Sequence, residues 1–481
     1  MINRSRNKFE LHLYTMKQVL IIVLISLFCT LSFGQSKIFN NWHFGEHASI
    51  SFNTDPPTAL YGSLINSIES CASISDDNGV LLFYTDGIYV YNKNHVIMPN
   101  GFGLLGHNSS TQGAYIVPYP KHPNLYYLFT TDAQNFGGFG GCDCLSYSII
   151  DMSLSGGLGD VTAKNTFLYS SITEKITGYF VNDSITWLIA HEFGSNKFLS
   201  FKITQTGLIT TPIISAIGST HCCYSANTAG QMKLSKDGTK LGYCLAFDRK
   251  VELLNFNKSM GILSNPVSFI TQYPIPYGFE FSPNCNYIYI SNDFYHNSRI
   301  LQFDITSWDS LIIKNSQKEI YNNSNNATEY GQLQLGPDDK IYISETWEQK
   351  LSLISNPNLL GIACNFTSRS VWTNNQAILG LPNIIWGYYK QPENLTVDTL
   401  CEPLIPNIIT PNDDKVNDDF KITCNNRVFI PFDLIIYNRW GKQVYNQIKK
   451  ANLLVDCPDG TYFYIFSLNE INYKGYLSVF H

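Results

Sequence analysis

Three segments of the chain repeat one pattern, and that repetition constrains the fold more than any other feature. Residues 233–243 (Lys-Leu-Ser-Lys-Asp-Gly-Thr-Lys-Leu-Gly-Tyr), 280–289 (Glu-Phe-Ser-Pro-Asn-Cys-Asn-Tyr-Ile-Tyr) and 334–342 (Gln-Leu-Gly-Pro-Asp-Asp-Lys-Ile-Tyr) each read as strand, tight turn, strand. Proline presets φ at the head of a turn, and Asp or Asn tolerates the geometry that follows. Another unit opens at Cys71, turns at Asn78-Gly79 between alternating apolar runs, and continues through residues 80–91; Asn-Gly in that setting is a strong hairpin signal. Units start near residues 70, 114, 175, 231, 277, 329 and 380, about 52 residues apart. Several short strands per unit at that period predict an all-β, WD40-like β-propeller with seven blades, six and eight being the alternatives. The seventh unit is composite. Leu379 to Trp386 is expected to pair with Trp42 to Phe52, so that the two ends of the domain close the ring and leave no open sheet edge. Composition agrees: 30 Tyr, 30 Phe and only 15% charged residues suit half-buried strands.

The N-terminus reads as a targeting segment. Lys17 precedes an apolar run from Val19 to Leu31, and the small residues before Gln35 suit cleavage. The run is too short to span a bilayer, so residues 1–35 are expected to be a secretory signal peptide, with Met16 as an alternative start. Lipidation at Cys29 is disfavoured because Phe28 stands where a small residue is needed. No later segment is a transmembrane candidate. The net charge is −6 and grows more negative once the basic leader is removed, which excludes a nucleic-acid partner. Of 12 cysteines, Cys142, Cys144, Cys222 and Cys223 form two close pairs. Without the CxxC spacing of zinc sites they are expected to be disulfides or buried thiols, and no metal is assigned.

The chain carries no Gly-x-Ser-x-Gly, His-Glu-x-x-His or phosphate-loop motif, and no catalytic residue is assigned. Three acids stand out as ligand-binding candidates. Glu192 ends a strand beside His191. Glu280 and Glu329 begin expected inner strands, which line the central channel of a propeller, so acids from several blades could converge on one cation or sugar. The plainer expectation is that each caps a turn or bonds backbone at the channel rim.

Residues 391–403 read as a polar linker. After it, residues 404–481 hold short strands (432–436, 461–467 and 475–480) between turn signals, which suggests a small Ig-like β-sandwich. Pro406, Asn407, Thr410, Pro411, Asn412, Asn417, Asp418 and Phe420 match the opening motif of the gliding-motility-associated C-terminal domain, the type B sorting domain of type IX secretion cargo. Asn438, Arg439, Trp440 and Gly441 match its second motif, and Asp459, Gly460, Thr461, Tyr462, Phe463 and Tyr464 its last. The domain therefore resembles that family. The sequence departs from it at Asp413 to Lys415, where glycines are lost from the loop, and in its shortened segment at Gln447 to Leu454. No cofactor is expected; calcium on the Asp-rich loop is the open alternative to a bare turn. Residues 41–45, 69–76, 82–87 and 380–383 likewise resemble the propeller of secreted Bacteroidetes proteins that carry this C-terminal domain.

The resemblance implies passage through the periplasm to the cell surface or the medium, with the type IX machinery as partner. The expected function is a surface binding or adhesion protein whose propeller takes a polysaccharide or protein partner. The alternatives are an extracellular hydrolase or lyase acting on polysaccharide at the channel mouth, and a structural component of gliding or surface machinery.

Overall fold

The computed structural model describes residues 36–133, 143–182, 184–222, 225–292, 298–323 and 329–388, then 404–412, 417, 420, 422–424, 427–429, 434–446, 458–468 and 471–480. The expected signal segment and the expected linker lie outside the described residues. The chain divides into two compact units at Tyr389/Lys390.

The described residues of the first unit form seven antiparallel sheets. The first has three strands, Asn41–Phe44, Ala48–Ser51 and Thr58–Ala59. The second to seventh begin with Ala72–Ser75, Ala114–Pro118, Ile172–Asn182, Met232–Leu234, Pro276–Phe281 and Tyr330–Leu335. Each of these six runs outward in chain order through successive hairpins, as in a β-propeller; in the fourth, both Gly207–Leu208 and Ile213–Ala216 pair with Lys197–Thr204. The three echoed segments close their turns with one shared bond: the amides of Ser235, Ser282 and Gly336 donate to the carbonyls of Lys240 (2.9 Å), Tyr287 (2.9 Å) and Lys340 (2.8 Å). Large aromatic side chains of the sheets, Trp42, Tyr84, Trp187, Tyr243, Tyr289 and Tyr342 among them, are fully buried.

The first strands of the second to seventh sheets line the axis; the face on which they begin is termed the upper face. Amide side chains lash these strands together across the axis. The Gln112 amide group grips both backbone groups of Met232, donating to its carbonyl (3.0 Å) and accepting from its N–H (2.9 Å). Gln231 Oε1 accepts from the N–H groups of Phe279 (3.0 Å) and Leu333 (2.9 Å). Gln332 donates to the Thr111 carbonyl at 2.5 Å and accepts from the Leu381 N–H at 2.9 Å.

Leu379 to Trp386 does not join the ladder of the first sheet. It descends through the channel. The Gln332 N–H donates to the Leu379 carbonyl (2.8 Å), and the amides of Leu379 and Gly380 both donate to Ile68 (2.9 Å each). Asn383 donates from its N–H to the Cys71 carbonyl (3.1 Å) and from its side chain to the Ala114 carbonyl (2.9 Å). The Tyr115 hydroxyl donates to the Ile384 carbonyl (3.0 Å), and the Phe180 N–H donates to Trp386 (2.8 Å). The segment thus touches the first strands of the seventh, second, third and fourth sheets. The physical reason is local: Pro382 has no N–H for a ladder, while Asn383 satisfies two sheets at once. Ring closure falls to the residues just before it, where Glu46 pairs with Gln376 and the Ser49 N–H donates to Thr373 (3.3 Å).

The second unit pairs Ile408–Ile409, Ile471–Val479, Gly460–Leu468, Ile435–Asn438 and Gln443–Asn446 into one sheet, in that spatial order, with a separate ribbon of Ile422–Cys424 and Arg427–Phe429. Its core gathers Ile409, Phe420, Ile422, Leu434, Ile436, Tyr462, Phe466 and Leu477.

A Cβ added at Gly380 would lie 1.9 Å from the Glu69 carbonyl oxygen. Backbone faces backbone there, so neither side can yield as a flexible side chain would. Gly380→Ala is expected to destabilise the first unit by roughly 1–3 kcal/mol or more, read as a lowered thermal unfolding midpoint.

Candidate functional site

The structure separates the three acids singled out in the sequence. Glu192 sits at the upper end of Ile185–Glu192 in the fourth sheet. Burial pushes its carboxyl up, but hydrogen bonds from Lys197, Ser195 and Tyr169 outweigh that and hold it below the usual range; Lys197 Nζ lies 3.0 Å away. Glu280 is buried low in the channel. It receives Lys233 Nζ at 3.1 Å and the N–H groups of Leu335 and Phe281 at 2.9 Å each. Lys233 also donates to the Leu333 carbonyl (3.0 Å) and to Gln334. Glu329 precedes the first strand of the seventh sheet, half-buried, and its N–H donates to Thr346 Oγ1 (3.0 Å). Glu192 and Glu280 are held in local ion pairs.

The acids that do converge are Glu69 and Glu174, at the upper mouth of the channel. Glu69 stands just before the first strand of the second sheet; Glu174 lies where Ile172–Asn182 bulges, in the fourth. They are 7% and 5% exposed. Glu69 accepts from the Tyr277 hydroxyl of the sixth sheet and from Ser109 Oγ (3.0 Å). Glu174 accepts from Thr111 through both its N–H (2.9 Å) and its hydroxyl (2.8 Å). Burial, then repulsion from Glu174, raises the Glu69 carboxyl to about 8, against the pull of the Tyr277 and Ser109 hydrogen bonds. Next to Glu174, the buried Lys175 ammonium donates to the carbonyls of Asn227 and Thr228 (2.9 Å each) and of Ala229. Burial pulls it down to about 7, with Glu174 opposing. The mouth therefore holds two buried carboxyls, of which Glu69 is pushed towards its neutral form by burial and by Glu174, an arrangement able to give and take a proton. Glu69 was visible in the sequence only as part of a motif, and Glu174 and Lys175 carried no signal there: their partners come from sheets far away in the chain.

Beside this cluster His191 and His221 stack with ring centroids 3.5 Å apart. Among the described residues, neither imidazole has a hydrogen-bond partner. Burial lowers His191 to about 3 and takes His221 well below its ordinary value; His43, stacked on Tyr84, is likewise lowered to about 3. Cys144 and Cys222 are each disulfide-bonded, whereas Cys71, Cys244, Cys285 and Cys364 are free and buried. Cys142 and Cys223 lie outside the described residues. Among the described residues, no group of three or more His, Cys, Asp or Glu side chains is placed to hold a metal.

In the second unit the motif residues divide by role. Asn438 caps its turn: its side chain accepts from the N–H groups of Trp440 and Lys442 (3.0 Å each), and Gly441 takes φ +75°, which favours glycine. Phe420 and Tyr462 are core, with the Tyr462 hydroxyl donating to the Pro458 carbonyl (2.8 Å). Thr410 donates its N–H to the Asn417 carbonyl (2.8 Å), while Pro406, Asn407, Pro411, Asn412 and Thr461 lie at or near the surface. Arg439, Trp440 and Asp459 are exposed, Trp440 at 84%. Asp418 and the Asp-rich loop proposed for calcium lie outside the described residues.

Residues 404–479 match the CHU_C type IX secretion signal domain. Such a domain marks the chain for export to the cell surface or the medium and engages the type IX machinery. No helix among the described residues is long and apolar enough to cross a membrane. A search of curated proteins finds no match. Among solved structures, the chain is similar to a putative 6-phosphogluconolactonase from Bacteroides uniformis ATCC 8492 (10% identity, TM-score 0.44, covering 70% of this chain and 98% of that one). It is similar to another from Bacteroides fragilis NCTC 9343 (10%, 0.42, 71% and 98%), and to the periplasmic gluconolactonase PpgL of Pseudomonas aeruginosa (10%, 0.36, 59% and 78%).

Because Glu69 is raised in the folded state, its contribution to stability is full below the unfolded carboxyl value near 4.5 and is lost as pH rises through about 8. In chemical denaturation, the stability difference between wild type and Glu69→Gln should therefore shift in the variant's favour by roughly 4 kcal/mol from pH 4.5 to 8.5. The histidines act oppositely. Lowered in the folded state, His43 and His191 give stability that is present above pH 6.5 and drains away as pH falls towards about 3. Both proteins should accordingly lose stability below pH 6.5.

Proposed function

We propose that the chain is an exported surface protein whose propeller is a binding module, with its loop-bearing upper face as the binding surface. The observation that carries this reading is the filled channel. The axis is occupied by residues 378–386 and by Gln112, Gln231, Gln332 and Asn383, all hydrogen-bonded between sheets. The axis is thereby committed to holding the ring, and Glu192 and Glu280 are committed to lysines. The turns around the upper rim carry no such commitment and can meet a partner. A screen of the purified chain against surface polysaccharides and surface-protein extracts tests this; a chain that binds neither refutes it.

A second reading has one observation in its favour. The Glu69–Glu174 pair is the acid–base arrangement that a hydrolase or lyase at the channel mouth would use. That reading requires polysaccharide or peptide turnover that Glu69→Gln abolishes; turnover unchanged in the variant, or none at all, removes it.

The second unit serves as the export handle. A buried motif residue is accounted for by folding, but Trp440 is not, and its exposed ring fits recognition by the secretion machinery. Residues 392–481 fused to a reporter should carry it out of a type IX-competent host. Trp440→Ala should leave the unfolding midpoint of the fusion unchanged while cutting the exported fraction several-fold. Equal export by the variant would assign Trp440 no part in recognition.

A further inference from the structure

The three echoed segments open on Lys233, Glu280 and Gln334: an amine, a carboxyl and a carboxamide at one position of the repeat. Because that position recurs from unit to unit, the fold brings the three side chains together. They come from the first strands of the fifth, sixth and seventh sheets and are 6%, 1% and 1% exposed. Lys233 Nζ lies 3.1 Å from Glu280 Oε2 and donates to Gln334 Oε1. The amine thus stands against the carboxamide, with the carboxyl bonded to the same nitrogen.

The backbone around them holds this arrangement in place. Nζ also donates to the Leu333 carbonyl (3.0 Å). Glu280 Oε2 accepts from the Leu335 N–H and Oε1 from the Phe281 N–H, at 2.9 Å each. Gln334 Nε2 donates to the Leu335 carbonyl (3.0 Å). Every polar side-chain atom of the three therefore has a partner within the triad or in its frame, and none is left to turn elsewhere.

A buried ion pair is one end state for such a group, and a costly one, because both charges have left water. The triad also holds the parts for a covalent one. Lys233 is a nucleophile once it is neutral, and burial pulls its ammonium below the ordinary value, with Glu280 opposing. The Gln334 Cδ is an electrophile fixed beside it. Holding two such groups in one dry place removes the entropy of their encounter, worth an effective molarity on the order of 10⁵ M or more in well-oriented cases. Glu280 touches the attacking nitrogen and is placed to carry its proton.

We infer that Lys233 and Gln334 join in an intramolecular isopeptide bond, with Glu280 as the proton carrier. Glu280 takes a proton from the Lys233 ammonium. The freed amine attacks Cδ of Gln334, and the Nζ–Cδ bond forms. Two of the three hydrogens on Nζ pass by way of Glu280 to Nε2, the Cδ–Nε2 bond breaks, and ammonium departs. An ammonium and a primary amide become a secondary amide and ammonium, and Glu280 ends as it began. The bond joins residues 101 apart in sequence and ties the fifth sheet to the seventh over the sixth. It limits the unfolded chain as a disulfide across a long loop does, and a reducing agent does not open it.

The test is peptide mapping by mass spectrometry of the purified full chain, reduced and denatured before digestion with trypsin. Trypsin should fail to cut after Lys233. The peptides that carry Lys233 and Gln334 should appear as one linked species, about 17 Da below the sum of the two, the mass of the ammonia lost as the amine displaces it. Glu280→Gln keeps the size of the side chain but cannot carry the proton; it should cut the linked fraction at least about tenfold. If circular dichroism shows that this variant does not fold, Glu280→Asp, whose carboxyl falls short of Nζ, replaces it and should also link less. A wild-type chain whose Lys233 and Gln334 are recovered only in separate, unmodified peptides overturns the bond, whatever the variants do. Undiminished linkage in a folded Glu280 variant overturns the part given to Glu280.

Discussion

Everything in the first unit depends on a few amide side chains meeting across one axis. Sheets packed around a centre must fill it, and a filling of apolar residues would leave the inner backbone edges without partners, each at a cost comparable to a lost hydrogen bond. Gln112, Gln231, Gln332 and Asn383 solve both problems at once. They occupy the volume and satisfy backbone groups of other sheets, next in sequence or farther away. The cost is the burial of four polar side chains, offset because almost every bonding position is used; Gln231 Nε2 is the exception. The same fabric brings Glu69 and Glu174 together. Their proximity follows from the way the ring is closed, and their proton chemistry from the dryness of the place where it closes.

Much of the architecture was legible in the sequence because it is local. Unit starts expected near 70, 114, 231, 277 and 329 lie within two residues of Ala72, Ala114, Met232, Pro276 and Tyr330; turn chemistry and alternation are written within a few residues of each other. The fourth sheet starts earlier than the expected 175, at Ile172, because a bulge at Ile172–Ile176 lengthens its first strand. Leu379 to Trp386 was misread as the inner partner of Trp42 to Phe52 because its apolar residues resemble a strand. What overrides that likeness is Pro382, together with the two-sheet reach of Asn383, and neither effect can be weighed without knowing what lies opposite.

The candidate site was less legible for the same reason. Glu280 lies on an inner strand as expected, but near its end rather than at its start, and its meaning is set by Lys233 from the neighbouring sheet. Glu69, Glu174 and Tyr277 belong to three sheets, and no spacing rule links them.

The passage of residues 378–388 through the channel has a consequence for the order of events. A chain that is made and translocated from its N-terminus delivers all seven sheets before it delivers the piece that sits at their centre. Until that piece arrives, the bonds it supplies to Gln332, Cys71 and Ala114 cannot form. The propeller is therefore completed from its C-terminal end, by the last described stretch of the first unit.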